Sequence, residues 1–399
     1  MQKQWRMLIV TSLAVVCSLT SWFAATAVLN NFSEAIGISL QQGSWLTSAV
    51  QLGFVTGALG SSFLALTDTV SLTRILTVAS LLAAASTALL LTEPVFELAL
   101  ALRFITGIAL AGIYPTSLKL IATWFERGRG FAMGAMLGAI TLGSAMPHFV
   151  STLGDGASWK LVITIASLAC LLAAVIFAKF VHEGNFSFPR GKFEPGQILS
   201  VVRNKPVMLV NIGYFGHMWE LYAMWGWILA YTTAAQTSGA DISNASLLAF
   251  LIVAAGAPGC LLGGYLSDRI GRCLTTTLMM CVSGACALAI GFAFSGPLPV
   301  FIVIALLWGF TIVADSAQFS TAVSELSAPE FVGSSLAFQM AVGFAITVLT
   351  IWLVPVIAGW LGSWRWTFLL LLPGPVVGVF AMLKLRADPA SVKLAGGLR

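Results

Sequence analysis

The sequence predicts an all-α membrane protein with twelve transmembrane helices in two pseudo-symmetric six-helix bundles. Three observations carry this expectation: the scarcity of charge, the number and length of the apolar runs, and one long polar interval that parts six runs from the other six. Of 399 residues, 58% are hydrophobic and 9% charged, whereas charged residues make up about 25% of soluble domains. So little charge cannot clothe a water-facing surface. A soluble globular class is excluded, and the bilayer must act as the solvent.

A helix crosses the hydrocarbon core in roughly 20 mostly apolar residues. Such runs lie at 8–30, 44–66, 72–91, 98–121, 130–152, 159–181, 206–234, 245–267, 273–294, 299–324, 333–359 and 364–384. Turn residues such as Thr92-Glu93-Pro94 and Gly154-Asp155-Gly156 separate them. A transmembrane β-barrel would need segments of about ten alternating residues, and these runs are continuous and longer. The opening stretch 1–30 reads as the first span rather than a cleaved leader, because its apolar run exceeds a signal core.

The interval 182–205 is rich in Pro, Gly and charge, and it divides the chain into an amino-terminal bundle (1–181), a central cytoplasmic loop and a carboxyl-terminal bundle (206–399). An internal echo supports the division. Ser158-Trp159-Lys160 opens span six and Ser363-Trp364-Arg365 opens span twelve, 205 residues later. Counting loops, 17 of the 20 Lys and Arg fall on the side of the termini; only Lys160 and Arg365 fall opposite, with Arg103 inside a span. The positive-inside bias then predicts a multi-pass protein of the plasma (inner) membrane with both termini cytoplasmic. The net charge of +5 reflects those loops and implies no nucleic-acid partner. The six cysteines form no C-x-x-C pair and have no histidine at ligand spacing, so they read as small packing residues, with neither metal nor cofactor expected.

Between spans eight and nine the chain reads Gly264-Tyr-Leu-Ser-Asp268-Arg269-Ile-Gly271-Arg272. This G-x-x-x-D-R-x-G-R pattern resembles the loop signature of the major facilitator superfamily. The carboxylate of Asp268 can accept from a helix N-terminus or an arginine while the glycines allow a tight turn, so Gly264, Asp268, Arg269, Gly271 and Arg272 are expected to latch the bundle in one conformation. The matching stretch of the first half, Gly60 to Arg74, keeps Asp68 and a later arginine but loses the D-R-x-G-R spacing, so it does not by itself predict a second latch. Span four reads Arg103-Phe-Ile-Thr-Gly107 onward to Tyr114-Pro115 and then Trp124-Phe125. It is similar to members of that superfamily that carry organic anions with a cation, although Ala109, Leu110 and Ala111 stand where such members have a carboxylate. Span five holds Gly134, Gly138, Gly143 and Pro147 without the fuller G-P-x-x-G-G of exporting antiporters. The resemblance implies two bundles around a central cavity lined by spans one, four, seven and ten.

An ionisable group at the centre of a span costs at least about 2.5 kcal/mol to insert, so each is a functional candidate. Arg103 in span four, Glu220 in span seven and Asp315 in span ten stand out. His217 lies three residues before Glu220, hence on one helical face, with Met224 and Trp227 continuing the stripe. A carboxylate in low dielectric beside an imidazole is a group able to take and pass on a proton. Glu220, His217 and Asp315 are therefore the expected proton-coupling residues, against the plainer reading of buried pairs that tie helices together. Arg103 either clamps a substrate carboxylate with its planar fork or bonds backbone and tunes a nearby acid such as Asp315. Tyr114, Trp219, Tyr222, Met224, Trp227 and Gln318 complete the candidate substrate wall. Asn30, Asn31, Gln51 and Gln339 read as interhelical hydrogen-bond partners, and His148 as a helix-end residue. No H-E-x-x-H, G-x-S-x-G or P-loop is present, so no enzyme is expected. The expected function is a monomeric secondary transporter moving a small organic, anionic solute by proton-coupled alternating access. Alternatives are proton-driven export of a metabolite or drug-like amphiphile, and a non-transporting membrane receptor.

Overall fold

The computed structural model describes residues 3–125, 129–153, 158–186 and 194–398. Among these the chain is helical, without strands, and its helices make twelve traverses. Span one is Lys3–Leu19 with Leu29–Ile36, parted by an irregular stretch and the 3-10 turn Thr26–Val28. Spans two to six are Leu40–Phe63, Leu72–Ala88, Phe96–Ala122, Arg129–Val150 and Trp159–Lys179. Span seven is Lys205–Thr237, span eight Ala245–Ala254 with Gly256–Ile270, and span nine Arg272–Ala293. Span ten is Leu298–Thr311 with Ser316–Leu326, span eleven Val332–Leu361, and span twelve the 3-10 turn Thr367–Leu371 with Pro373–Ala387. Below, the "terminal end" of the bundle is the one that bears Lys3 and Leu398, and the "far end" is its opposite.

Nine of these traverses are, among the described residues, long and apolar enough to cross a membrane on composition alone. Spans one, two and seven fall short. Span one is interrupted, and the other two carry Ser44, Thr47, Ser48 and Gln51, or Asn211, His217 and Glu220. Helices that face other helices on most sides can hold polar groups that a lipid-facing helix cannot. Local signals set several ends. Ser39 and Gln42 form a reciprocal capping box at the start of span two. Asn244 accepts from the Leu247 N–H at 2.8 Å to start span eight, and Gly362 closes span eleven at φ +61°.

Two departures from an unbroken-helix expectation matter. Span one is not continuous over 8–30, and span ten is not helical across 312–315, so Asp315 sits in a break rather than in the middle of a helix. The expected repeat is realised in space. Trp159 packs edge-on against Phe32 at the end of span one, with ring centroids 5.0 Å apart, and Trp364 packs against Trp227 in span seven at 5.7 Å. Each tryptophan thus ties the last span of its bundle to the first.

Glycines set the closest approaches. A Cβ on Gly53 would run into the Phe104 carbonyl and one on Gly107 into the Val50 carbonyl, so spans two and four touch backbone to backbone. Spans eight and ten repeat this through Gly263 against Ala314 and Gly309 against Ile252. Between the bundles, span two lies along span eleven and span five along span eight. Gly107→Val is expected to destabilise the protein by about 3 kcal/mol or more through overpacking, seen as a steep fall in the melting temperature of the detergent-solubilised chain. Gly60→Ala, whose Cβ would enter open space, is expected to melt like the wild type.

Candidate functional site

The middle of the bundle is filled by aromatic rings from both halves. Trp22 of span one stacks on Tyr222 of span seven at 5.4 Å and tilts against Phe54 of span two at 5.2 Å. Phe54 stacks on Phe344 of span eleven at 4.2 Å and meets Tyr114 of span four at 5.9 Å. Phe23 and Trp225 extend the layer. Toward the far end lies a cavity of about 180 Å³, with Thr26, Asn30, Asn31, Trp227, Thr233 and Ser246 in its wall. Its polar side chains are all uncharged.

Arg103 is fully buried. One guanidinium nitrogen donates to the Ser21 carbonyl at 3.0 Å and the other to the Trp22 carbonyl. These carbonyls belong to the interruption of span one, where the helical ladder cannot take them up. Lipid supplies no donor, so a break at this depth persists only where the protein completes it. The planar fork of Arg103 does so. It reaches neither Asp315 nor any other carboxylate among the described residues.

Span seven sends His217 and Glu220 to different partners, so the shared face expected from their spacing does not become a direct pair. His217 Nδ1 lies 3.0 Å from Asp315 Oδ1, with both side chains 2% exposed. Asp315 Oδ1 has no formed hydrogen bond, so the carboxylate and the imidazole lie in close contact without one. His217 Nε2 meets Ser316 Oγ at 2.7 Å. The break in span ten therefore turns Asp315 and Ser316 together onto one imidazole. Glu220 instead accepts from Ser283 Oγ of span nine at 2.8 Å and from Trp308 Nε1 of span ten at 2.7 Å. Both acids are enclosed within the second bundle.

The other candidates divide. Tyr222 and Tyr114 belong to the central aromatic layer, and Trp227 borders the far-end cavity while donating to the Ile351 carbonyl. Trp219 turns to span twelve, donating to the Leu370 carbonyl, and Met224 is buried in the core. Gln318 is drawn into the latch, where its Oε1 accepts from Arg272 at 3.2 Å. Gln339 bonds Asn211 at 3.1 Å as an interhelical partner, but Gln51 has no partner on either amide atom. Sequence reading missed Trp22, Phe54 and Phe344 because nothing in a lone aromatic announces that it meets another across two bundles.

The signature between spans eight and nine is mostly helix. Gly264, Asp268 and Arg269 lie in the last turns of span eight, and Gly271 at φ +89° makes the turn. Arg272 Nη1 donates to Ser267 at 2.6 Å and Asp268 at 3.3 Å, and its Nη2 to Glu325 at 3.0 Å, which ties the loop to span ten. Arg269 lies 4.5 Å over the Tyr265 ring. In the first half a latch persists despite the altered spacing: Lys119, at the end of span four, pairs with Asp68 at 2.6 Å. Lys119 and Glu325 stand 206 residues apart, the distance of the tryptophan echo within one residue. The cation is on span four in one half and at the start of span nine in the other, so the charge arrangement is inverted while the position is kept.

Twelve helices in two bundles, closed about an aromatic seam with ionisable groups sealed inside, define a polytopic membrane transporter. The sequence pattern of the Major Facilitator Superfamily matches residues 11–350, and the chain belongs to that family. Among curated relatives, the chain is 26% identical over 243 residues to the MFS transporter asaE of Aspergillus flavus, covering 60% of this chain and 53% of that protein. It is 25% identical over 283 residues to a probable sulfoacetate transporter, SauU, of Cupriavidus necator, covering 65% of this chain and 64% of the relative. The matched region thus spans between about half and two thirds of these relatives' lengths. The fold is similar to that of a bacterial homologue of the human lysosomal transporter Spinster, inward-facing and unoccupied, with TM-score 0.72, 15% identity and coverage of 98% of this chain and 100% of that one. It is also similar to the proton:xylose symporter XylE, with TM-score 0.71, 14% identity and coverage of 96% and 95%.

Arg103→Lys keeps the charge but cannot span two carbonyls. It is expected to lower stability by about 1.5–3 kcal/mol, the worth of a hydrogen bond to a charged group, read as a drop in melting temperature. An unchanged melting temperature would mean that the break in span one holds without the fork.

Proposed function

We propose that the protein is a proton-coupled carrier of a small organic acid, working as a monomer by alternating access in a plasma membrane with both termini cytoplasmic. One observation carries the coupling: the buried acids Asp315 and Glu220 sit in the second bundle, one against an imidazole and the other against neutral donors. An acid in such a place holds its proton or loses it according to which partners face it, and so can report which face is open. The acid cargo is supported by Arg103, whose charge meets only carbonyls, and by the relatives. Besides the probable sulfoacetate transporter, these include a probable L-galactonate transporter of Escherichia coli and a niacin transporter of Acinetobacter baylyi, all named for organic acids.

A second reading, proton-driven export of an apolar amphiphile, draws on a different observation. The centre is aromatic, and both terminal nitrogens of Arg103 are spent on backbone. Uptake into proteoliposomes under an imposed pH gradient, with sulfoacetate, galactonate and nicotinate as probes, separates the two. Concentrative uptake of one of these acids is expected for the carrier, and none for the exporter. Asp315→Asn and Glu220→Gln are each expected to cut gradient-driven uptake at least about tenfold, about 1.4 kcal/mol of coupling, while solute exchange without a gradient continues. If both variants keep the wild-type dependence on pH, neither acid couples the proton.

A further inference from the structure

Gln51 is wholly buried in span two, and neither its amide oxygen nor its amide nitrogen has a hydrogen-bond partner. Ser48, three residues earlier on the same face, is also buried with its hydroxyl unmet, and the indole N–H of Trp22 is unmet as well. Buried polar groups without partners are rare in folded proteins, and each calls for a reason. Here three fall in one region.

Contacts on either side locate the amide. Four residues before it, Thr47 Oγ1 bonds Thr26 Oγ1 at 2.7 Å; three residues after it, Phe54 packs on Trp22 at 5.2 Å. Span two therefore runs along the interruption of span one, and Gln51 lies on the stripe between those two contacts. The same stripe meets the second bundle, since a Cβ on Gly226 would touch the Thr47 methyl and Phe54 stacks on Phe344. Thr26 and Gly226 also line the far-end cavity. The amide is thus one threonine pair away from that cavity and is sealed on its other side by the aromatic layer.

Resting on the organic-acid reading above, we infer that Gln51 is a specificity-determining residue and that the solute is a hydroxylated organic acid. A primary amide presents N–H donors and a carbonyl acceptor side by side in one plane. A plain carboxylate would satisfy the donors and leave the carbonyl bare. A carboxylate with a neighbouring hydroxyl satisfies both, the carboxylate oxygen accepting from Gln51 Nε2 and the hydroxyl donating to Gln51 Oε1. The Trp22 indole N–H and the Ser48 hydroxyl are further donors for the same anion. Arg103, bound to the Trp22 carbonyl and without a carboxylate partner among the described residues, leaves a positive charge in the first bundle that favours an anion there. A site built to pair with a hydroxyl rejects the analogue that lacks it, because its own buried group is then stranded.

The test uses the purified full chain and Gln51→Leu, which keeps the bulk and removes the amide. Without solute, Gln51→Leu is expected to melt no lower than the wild type, since it removes a stranded polar group; a clearly lower melting temperature means the amide ties the spans together and overturns the inference. Thermal stabilisation is then titrated with D-glycerate and D-gluconate against propionate and hexanoate. The wild type is expected to respond to a hydroxylated acid at a concentration at least about tenfold below its deoxy counterpart, the worth of one hydrogen bond, and Gln51→Leu is expected to abolish that preference. Acids that bind without a hydroxyl preference, or a preference that survives in Gln51→Leu, overturn the assignment of Gln51 and leave the carrier reading intact. If no acid of either kind stabilises the protein, the organic-acid reading itself falls, and this one with it.

Discussion

Backbone groups inside a bilayer must find partners within the protein, and much of this molecule follows from how two interrupted helices meet that demand. In span one the interruption is completed by Arg103, which takes the Ser21 and Trp22 carbonyls. In span ten the unwound stretch is held at Asp315 and Ser316 by His217, and its Val313 carbonyl accepts from the Cys260 thiol at 3.8 Å. Each break does something an intact helix would not. The first turns Trp22 and Phe23 into the seam between the bundles, and the second points an acid and a hydroxyl at one imidazole.

The two bundles share a frame but not a charge plan. Both use glycine contacts to join their second and fourth spans, both set a tryptophan against the first span, and both latch the terminal end with an ion pair. Beyond that they part. The first bundle keeps a buried cation and uncharged polar groups, while the second keeps the buried acids and the histidine partner. The second latch is also more elaborate: while one Glu325 oxygen holds Arg272, the other accepts the Ala395 N–H at 3.1 Å, so the segment Pro389–Gly397 is fastened to it, with Leu394 fully buried.

The architecture was legible because lipid imposes a simple code. Twelve apolar runs, one polar interval and a Ser-Trp echo 205 residues apart lead to the observed fold, and spans one, two and seven, which are too polar or interrupted to read as spans on composition alone, meet at the aromatic centre. Which polar residue faces which was less legible. His217 and Glu220 share a helical face by spacing, yet that face is broad enough to touch different neighbours, and the imidazole finds Asp315 while the carboxylate finds Ser283 and Trp308. The interruption of span one left no Pro or Gly signal, because it is held from span four. Asp68 was readable as a remnant, but its partner Lys119 lies on another helix, so no spacing within the loop points to it.

The glycine contacts differ in tightness, and this divides the molecule mechanically. Within each bundle, a Cβ at Gly53, Gly107, Gly263 or Gly309 would overlap backbone atoms outright. Between the bundles, a Cβ at Gly134 or Gly138 of span five would come only to 3.3 Å from the Cys260 carbonyl and 3.1 Å from that of Ala257. Backbones locked without intervening side chains cannot slide past one another, whereas looser surfaces and stacked rings can shear by small repacking. Spans two with four, and eight with ten, therefore behave as welded struts. A rigid-body movement of one bundle against the other would have to be taken up by side-chain repacking at the aromatic face between spans two and eleven and the small-residue face between spans five and eight, not within the welded pairs.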